Sequence, residues 1–428
     1  MSGELSIEFF AKDPWFPSGI AQSFEPAADN VPEGFEAWRL HTKFSSHLFI
    51  WPSGNPNKIE WWHRAIPVGS GGKRWGDPPV FDGGKIEPLI SENCPLYQLT
   101  EKSGREVIIA LLPMDEKGVV RNLSELNSSH LNPAFGGIQV GKQDLILFFS
   151  KLDGTTADKL LKVAFEKGNQ QEAQEICKSI GMVLGRFHCD ALGSKSLPND
   201  ERQWNGRLKQ LEERVQSNTL WRAPHSSSTL ATITHRNFGL NSVRFIEDEL
   251  SIDCSNIRVI CAVFPPSRDF PALRDLASAY RSLAEICDIN QIDQEQEILL
   301  RESIFEGWLL SAPKLITSHN ALSSYRGGVP IWEYEQVLEE VAYSQASGNP
   351  ISKRTKWWLE HVNRIQTQMY HSRTFAALSM ISGVCAFFAP FSGHLIESLS
   401  DRLALSFALI LSSIGFRWIY RRRAPPPY

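Results

Sequence analysis

Apolar residues come in short bursts through the first third of the chain and recur at helical spacing afterwards. Residues 1 to about 88 carry Gly, Pro and aromatic clusters, among them Gly69-Ser70-Gly71-Gly72 and Asp82-Gly83-Gly84, which predicts short strands joined by turns. Leu96-Tyr97-Gln98-Leu99 and Val107-Ile108-Ile109-Ala110-Leu111-Leu112, with Lys102-Ser103-Gly104-Arg105 between them, predict a hairpin. Residues 144 to 149 form a further buried strand leading into Ser150-Lys151-Leu152-Asp153-Gly154. From Glu172 onward, Ile176, Ile180, Val183, Leu184 and Phe187 mark one face of an amphipathic helix that continues to His188. Strands first and helices afterwards suit a two-lobed α+β fold.

The pattern changes at the C-terminal end. Residues 374 to 396 contain no Asp, Glu, Lys or Arg, a run long enough to cross a hydrocarbon core of about 30 Å. A second apolar run covers residues 403 to 416. It spans only if Arg417 snorkels to the interface, where Trp418 and Tyr420 are at home. A buried hairpin in a soluble core is the alternative. Lys353, Arg354, Lys356, Arg364 and Arg373 precede the first run and Arg421-Arg422-Arg423 follow the second. The basic bias therefore predicts an integral membrane protein whose large N-terminal part faces the cytoplasm.

The chain has 428 residues, 42% hydrophobic and 21% charged, which is ordinary for a globular protein of two or three domains. A net charge of -4 and the lack of a basic stripe in the soluble part exclude a general nucleic-acid binder. Trp15, Trp38, Trp51, Trp61, Trp62 and Trp75 crowd the first eighty residues and are expected to fill the core of a β-rich region. The seven cysteines are scattered and never spaced as CxxC, so neither zinc nor a disulfide framework is indicated. The N-terminus lacks a basic n-region and a long apolar run, so no cleaved signal peptide is expected. Gly69 to Gly72 lacks the spacing of a phosphate-binding loop.

Thr234-His235-Arg236-Asn237-Phe238-Gly239-Leu240-Asn241 resembles the catalytic loop of a kinase-fold phosphotransferase. Three further landmarks follow the order of the aminoglycoside phosphotransferase and choline kinase-like family. Leu145-Ile146-Leu147-Phe148-Phe149 with Leu152-Asp153-Gly154 is similar to its strand and adenine hinge, which implies Phe148, Phe149, Ser150 and Leu152 beside the base. The run from Ile180 to Phe187-His188 is similar to its helix ending in Leu-His, with Phe187 replacing the Leu. Asp275-Leu276-Ala277, after Phe264-Pro265-Pro266, resembles the start of the helix beneath the loop. The resemblance covers roughly residues 90 to 345. It implies a β-rich extension at 1–88, an N-lobe at 89–150, a helical C-lobe at 151–345, a linker at 346–372 and a membrane region at 373–428.

The reactive positions depart from that pattern. Asn237 stands at the position of the catalytic base, and a neutral amide cannot accept a proton. The nucleotide-gripping lysine belongs near Ala110, whereas Lys102 and Lys117 only flank that strand. The metal-binding Asp should follow a short apolar strand, and Val259-Ile260-Cys261-Ala262-Val263 offers Cys261 there, a poor magnesium ligand. Asn241 is retained as a metal-side residue; Asp253 and Asp269 read first as charged surface-loop residues, with substitute metal ligands as the alternative. His235, His188 and Asp275 are expected to order the loop rather than react.

The resulting expectation is a membrane-anchored pseudokinase acting as a binding or scaffold protein. ATP and magnesium would be cofactors only with residual activity, the small-molecule ligand is unspecified, and a membrane-protein complex is the expected partner. The alternative is an active ATP-dependent phosphotransferase with relocated ligands, including a lysine from the extension. In a third reading, residues 1 to 88 are the docking part and the kinase-like portion supports them.

Overall fold

The structure is a computed structural model. It describes the chain except residues 1–4, 67–70, 116–117, 217–220, 222, 226–228, 248, 266–268, 325–326, 394–395, 397 and 425–428. Gly69, Lys117 and Pro266 therefore lie outside the described residues.

Helix α1 (Ile7–Phe10) precedes a three-stranded antiparallel sheet of β1 (Ala21–Pro26), β2 (Phe35–Thr42) and β3 (Ser46–Pro52). Phe10, Trp15, Phe16, Trp38 and Phe49 are buried there and join the main core, so the aromatic extension is built into the body. Helix α2 (Ile59–Ala65) follows, then β4 (Lys73–Gly76), β5 (Lys85–Leu89), β6 (Leu96–Thr100) and β7 (Glu106–Leu111). A four-residue helix α3 (Arg121–Ser124) and β8 (Leu131–Asn132) lead to β9 (Gly136–Val140) and β10 (Gln143–Ser150). The six-stranded antiparallel sheet of this upper lobe runs β4-β9-β10-β7-β6-β5. Two of its strands thus come from within the first 89 residues.

The apolar run in β10 follows from burial on both faces of this sheet. Ile146 and Phe148 pack with Trp62, Phe81 and Val107 on the outer side. Leu147 and Phe149, with Ala110 and Leu112, belong instead to a core continuous with the lower lobe.

The lower lobe begins with β11 (Thr155–Thr156), α4 (Ala157–Glu166), α5 (Gln170–Ser194) and α6 (Glu201–Arg214). It continues through β12 (Ala231–Thr232), β13 (Val243–Ile246), β14 (Glu249–Asp253) and β15 (Phe270–Pro271). Helices α7 (Leu273–Ile289), α8 (Gln294–Ser311), α9 (His319–Leu322) and α10 (Gly328–Ser347) complete it. Helices α5 and α8 cross at backbone contact. A Cβ at Gly181 would lie 2.0 Å from the Ile304 carbonyl oxygen, and one at Gly307 would lie 2.0 Å from that of Lys178.

A buried ionic cluster ties α6, α7 and α10 together. Glu335 accepts from Arg207 Nε and Arg274 Nε, both at 3.0 Å, while Glu339 takes Arg274 Nη2 at 2.8 Å and also pairs with Arg207. Burial alone would raise the Glu335 carboxyl, but the two guanidinium groups outweigh it and hold it below the usual carboxylate range.

Residues expected as a linker are helical. Helix α11 (Lys353–Phe388) runs without a break from the soluble body into the apolar region, and α12 (Leu399–Arg423) returns beside it. The two are antiparallel: Ser379 and Ser413 exchange hydroxyl-to-carbonyl bonds at 2.9 and 2.7 Å, and Ser406 Oγ donates to the Ala386 oxygen at 2.7 Å. Both helices are long and apolar enough to cross a membrane. Of their most apolar stretches only 22% and 6% is buried, so a soluble-core hairpin does not describe them.

Candidate functional site

The loop from Thr234 to Asn241 joins β12 to β13 and lies against the first turn of α7. Asp275, fully buried in that turn, accepts the His235 amide at 2.7 Å and the Arg236 amide at 3.0 Å. His188 Nε2, from α5, lies 3.3 Å from the same carboxylate. The Trp308 indole donates to His188 Nδ1 at 2.9 Å, which leaves Nε2 as the protonated nitrogen and makes it the donor to Asp275. Burial by itself would raise the Asp275 carboxyl. The hydrogen bonds from His188 and the His235 backbone outweigh it and hold the group below the usual carboxylate range.

This grip has a conformational reason. Arg236 adopts φ 69°, a left-handed backbone that an L side chain occupies at a cost of about 1–2 kcal/mol. The two amide bonds to Asp275 bracket that residue and hold it there. His235 is buried, its Nε2 3.4 Å from the Asp253 carbonyl oxygen, and burial pushes its pKa below the ordinary histidine value. Its place is packing.

Asn237 donates its amide to the Asn256 carbonyl oxygen at 3.2 Å. Asn241 is exposed where the loop enters β13. The loop leads into the hairpin of β13 and β14, whose last residue is Asp253. Cys261 does not end a strand. Val259–Val263 is a short 3-10 helix, so the expected strand is absent there, and Cys261 sits on a cavity wall beside Asn237. The antiparallel pairing of β13 with β14 was the hairpin that the expected strand at Val259–Val263 missed. The Asp253 carboxylate is already engaged, with Arg244 Nε at 3.0 Å and Ser255 Oγ at 2.7 Å. Asp269 is held by Lys195 at 2.8 and 3.0 Å and lines a separate hollow with Leu197 and Ala231, so it is not brought to Asn241.

At the hinge, Phe148 and Phe149 are fully buried on opposite faces of the sheet, Ser150 is exposed and Leu152 half-buried. The Asn132 amide donates to the Ser150 carbonyl oxygen at 2.8 Å. Strand β8, from the connection between β7 and β9, crosses the cleft and pairs in parallel with β14, Leu131 opposite Ile252 and Asn132 opposite Asp253. The Ile252 amide donates to the His130 oxygen at 2.8 Å, and Ser128 Oγ to Asp190 at 2.6 Å. The upper lobe is thereby stitched to the lower one through the connection between β7 and β9. Nothing in the spacing of residues 119 to 134 signals this bridge.

Two cavities remain beside the loop. One of about 90 Å³ is lined by Met114, Asp115, His235, Asn237, Cys254 and Cys261 among others. The second, about 420 Å³, is polar and includes Asn237, Asn241, Asn256, Arg258, Arg281, Glu285 and Glu340. Neither is lined by Phe148, Phe149, Ser150 or Leu152, and neither by a described lysine. Lys102 lies at the far hairpin against Gly83. A nucleotide-sized ligand needs roughly 300 Å³ or more, so the smaller cavity cannot take one. The side chains present do not fit a magnesium–triphosphate group: the amide stands for the base, Asp253 is paired, and the cleft side of β7 offers Ala110 and Leu112. Among the described residues, no three His, Cys, Asp or Glu side chains gather as a metal cluster.

No family model and no curated sequence matches the chain. Among solved structures it is similar to a glucosamine kinase in complex with glucosamine, ADP and inorganic phosphate, with 12% identity and a TM-score of 0.51 over 84% of this chain and 97% of that one. Another crystal form of glucosamine kinase matches with 12% identity and the same score, over 80% and 93%. An aminoglycoside-3'-phosphotransferase of type VIII is more distant, with 13% identity and a TM-score of 0.34 over 55% and 92%. The chain has the two-lobed kinase-like fold of the glucosamine kinase structures.

Proposed function

We propose that this kinase-like chain is a membrane-anchored pseudokinase, a binding or scaffold protein that does not transfer phosphoryl groups. One observation carries the reading: the neutral amide of Asn237 stands where the resemblance expects the base, and neither cavity beside it is lined by a described lysine. Positioning of phosphate and metal supplies nearly all catalysis in this reaction class, and those positions are occupied by apolar or paired groups. The polar cavity of about 420 Å³ on the acceptor side remains large enough for a small ligand, which supports a binding role. The helical hairpin supports attachment to a membrane, with the soluble body on the cytoplasmic side as the basic flanks favour, and a membrane-protein complex is the partner we expect.

The test uses the full chain in mild detergent, titrated with magnesium-ATP while thermal unfolding is followed. A nucleotide at a hundredfold excess over its Kd stabilises by about 2.7 kcal/mol, which moves the midpoint by several degrees. The expected shift is nil. Phosphorylation of any amino-alcohol or amino-sugar that disappears in Asn237→Ala would overturn the proposal in favour of an active transferase.

A further inference from the structure

A groove of about 1090 Å³ runs along one side of the hairpin. Small residues of α11, including Ala377 and Gly383, form its floor, and Val384, Phe388 and Ile414 its apolar walls. Toward the soluble body it ends at Arg417 and Arg421, which stand one turn apart on the same face of α12. No Asp or Glu lines the groove. Arg417 Nη2 lies 3.0 Å from His319 Nε2 and its guanidinium 5.2 Å from the Tyr420 ring centre. Burial and the two nearby arginines lower the His319 pKa, so this neighbour supplies an acceptor and no negative charge. Arg421 has no carboxylate partner among the described residues.

We propose that this groove binds one anionic phospholipid of the leaflet next to the soluble body, phosphate at Arg417 and Arg421, acyl chain along the α11 wall. The dimensions agree. From Ala376 to Phe388 the helix rises about 18 Å, close to half of a hydrocarbon core of about 30 Å. An apolar partner helix seated in the groove would bury two guanidinium groups with no negative charge beside them, which is strongly unfavourable. A phosphate diester sets one negative charge and two free oxygens between the guanidinium groups while its chain covers the apolar wall. The occupant is thus a lipid rather than a second copy of the chain.

The proposal rests on the membrane reading, and the experiment separates the two. Carbonate extraction of membranes comes first: release of the full chain into the soluble fraction sinks the anchor and the lipid site together. If the chain stays with the membrane, it is purified in mild detergent, offered equal phosphatidylglycerol and phosphatidylcholine, and weighed intact with its retained lipid. Preference for phosphatidylglycerol is expected, falling roughly fivefold in Arg421→Gln. Arg423→Gln removes the same charge from the same helix outside the groove and should leave the preference intact. Equal retention of the two lipids, or an equal fall in both variants, overturns the site. So does a hairpin-mediated dimer holding no lipid. Monodispersity and an unchanged melting temperature of Arg421→Gln guard against a folding artefact.

Discussion

Replacing Asp275 by Ala asks whether one carboxylate holds the loop from Thr234 to Asn241 in shape. The side chain takes three donors, the His235 and Arg236 amides at 2.7 and 3.0 Å and His188 Nε2 at 3.3 Å. Truncation leaves all three in a site closed to solvent. Each orphaned buried donor costs about 1–3 kcal/mol. Relaxation of Arg236 from φ 69° returns roughly 1 kcal/mol, which leaves a net loss on the order of 4 kcal/mol. For a body of this size that lowers the midpoint by about 5 °C. The folded carboxyl lies below its unfolded value, so its stabilisation is present above about pH 4 and fades as pH falls through the folded pKa. The loss in Asp275→Ala should therefore be constant between about pH 5 and 8. Thermal unfolding of the full chain by circular dichroism at several pH values is the assay. A loss below about 1 kcal/mol, or one that grows as pH falls through that window, would refute the reasoning.

Other groups give further outcomes. Burial raises the Asp144 carboxyl to about 6, with Arg121 and the Trp75 indole drawing it partway back. Its unfolded counterpart ionises first, so wild-type stability should fall by on the order of 2–3 kcal/mol as pH rises from about 4 to 6. Asp144→Asn should flatten that slope, and an unaltered pH profile of the melting temperature would dispose of the assignment. Glu335→Gln weakens the anchor of Arg207 and Arg274 and should cost about 3–5 kcal/mol in denaturant unfolding. A change within about 0.5 kcal/mol would show the cluster to be dispensable. Gly307→Ala puts a methyl group against the Lys178 backbone and should cost at least about 2 kcal/mol, whereas Gly206→Ala, with open space around it, should be neutral or better. Equal melting temperatures for the two would contradict the close crossing of α5 and α8.

The parts legible in the sequence were those written in local periodicity. The hairpin of β6 and β7, the buried run of β10 and the helix that carries Phe187-His188 all follow from spacing that a single element must satisfy. The β-rich first third was legible too, but its aromatic residues did not announce that Phe10, Trp15 and Phe49 pack into the main core. Nor did it show that a cut at residue 88 would strip β4 and β5 from the upper sheet. Cys261 was misplaced because Val259-Ile260 and Ala262-Val263 look like a strand, while a five-residue apolar run suits a buried helical turn as well. The pairing of β8 with β14 joins residues more than a hundred positions apart through two residue pairs, too few to leave a pattern.

Helix α11 has 36 residues with no proline and no glycine before Gly383, a rod of about 54 Å. Its first turn, through Ser352 and Thr355, walls the polar cavity, and Arg281 fastens it to α7 through Thr355 at 3.0 Å. A domain on a flexible leash samples a hemisphere of the bilayer surface; a domain on a mast does not. If the hairpin spans, as proposed, the mouth of the cavity keeps one height and one bearing above the lipid. A partner meets it only by presenting a surface at that altitude, so neighbours are chosen by stature as well as by chemistry.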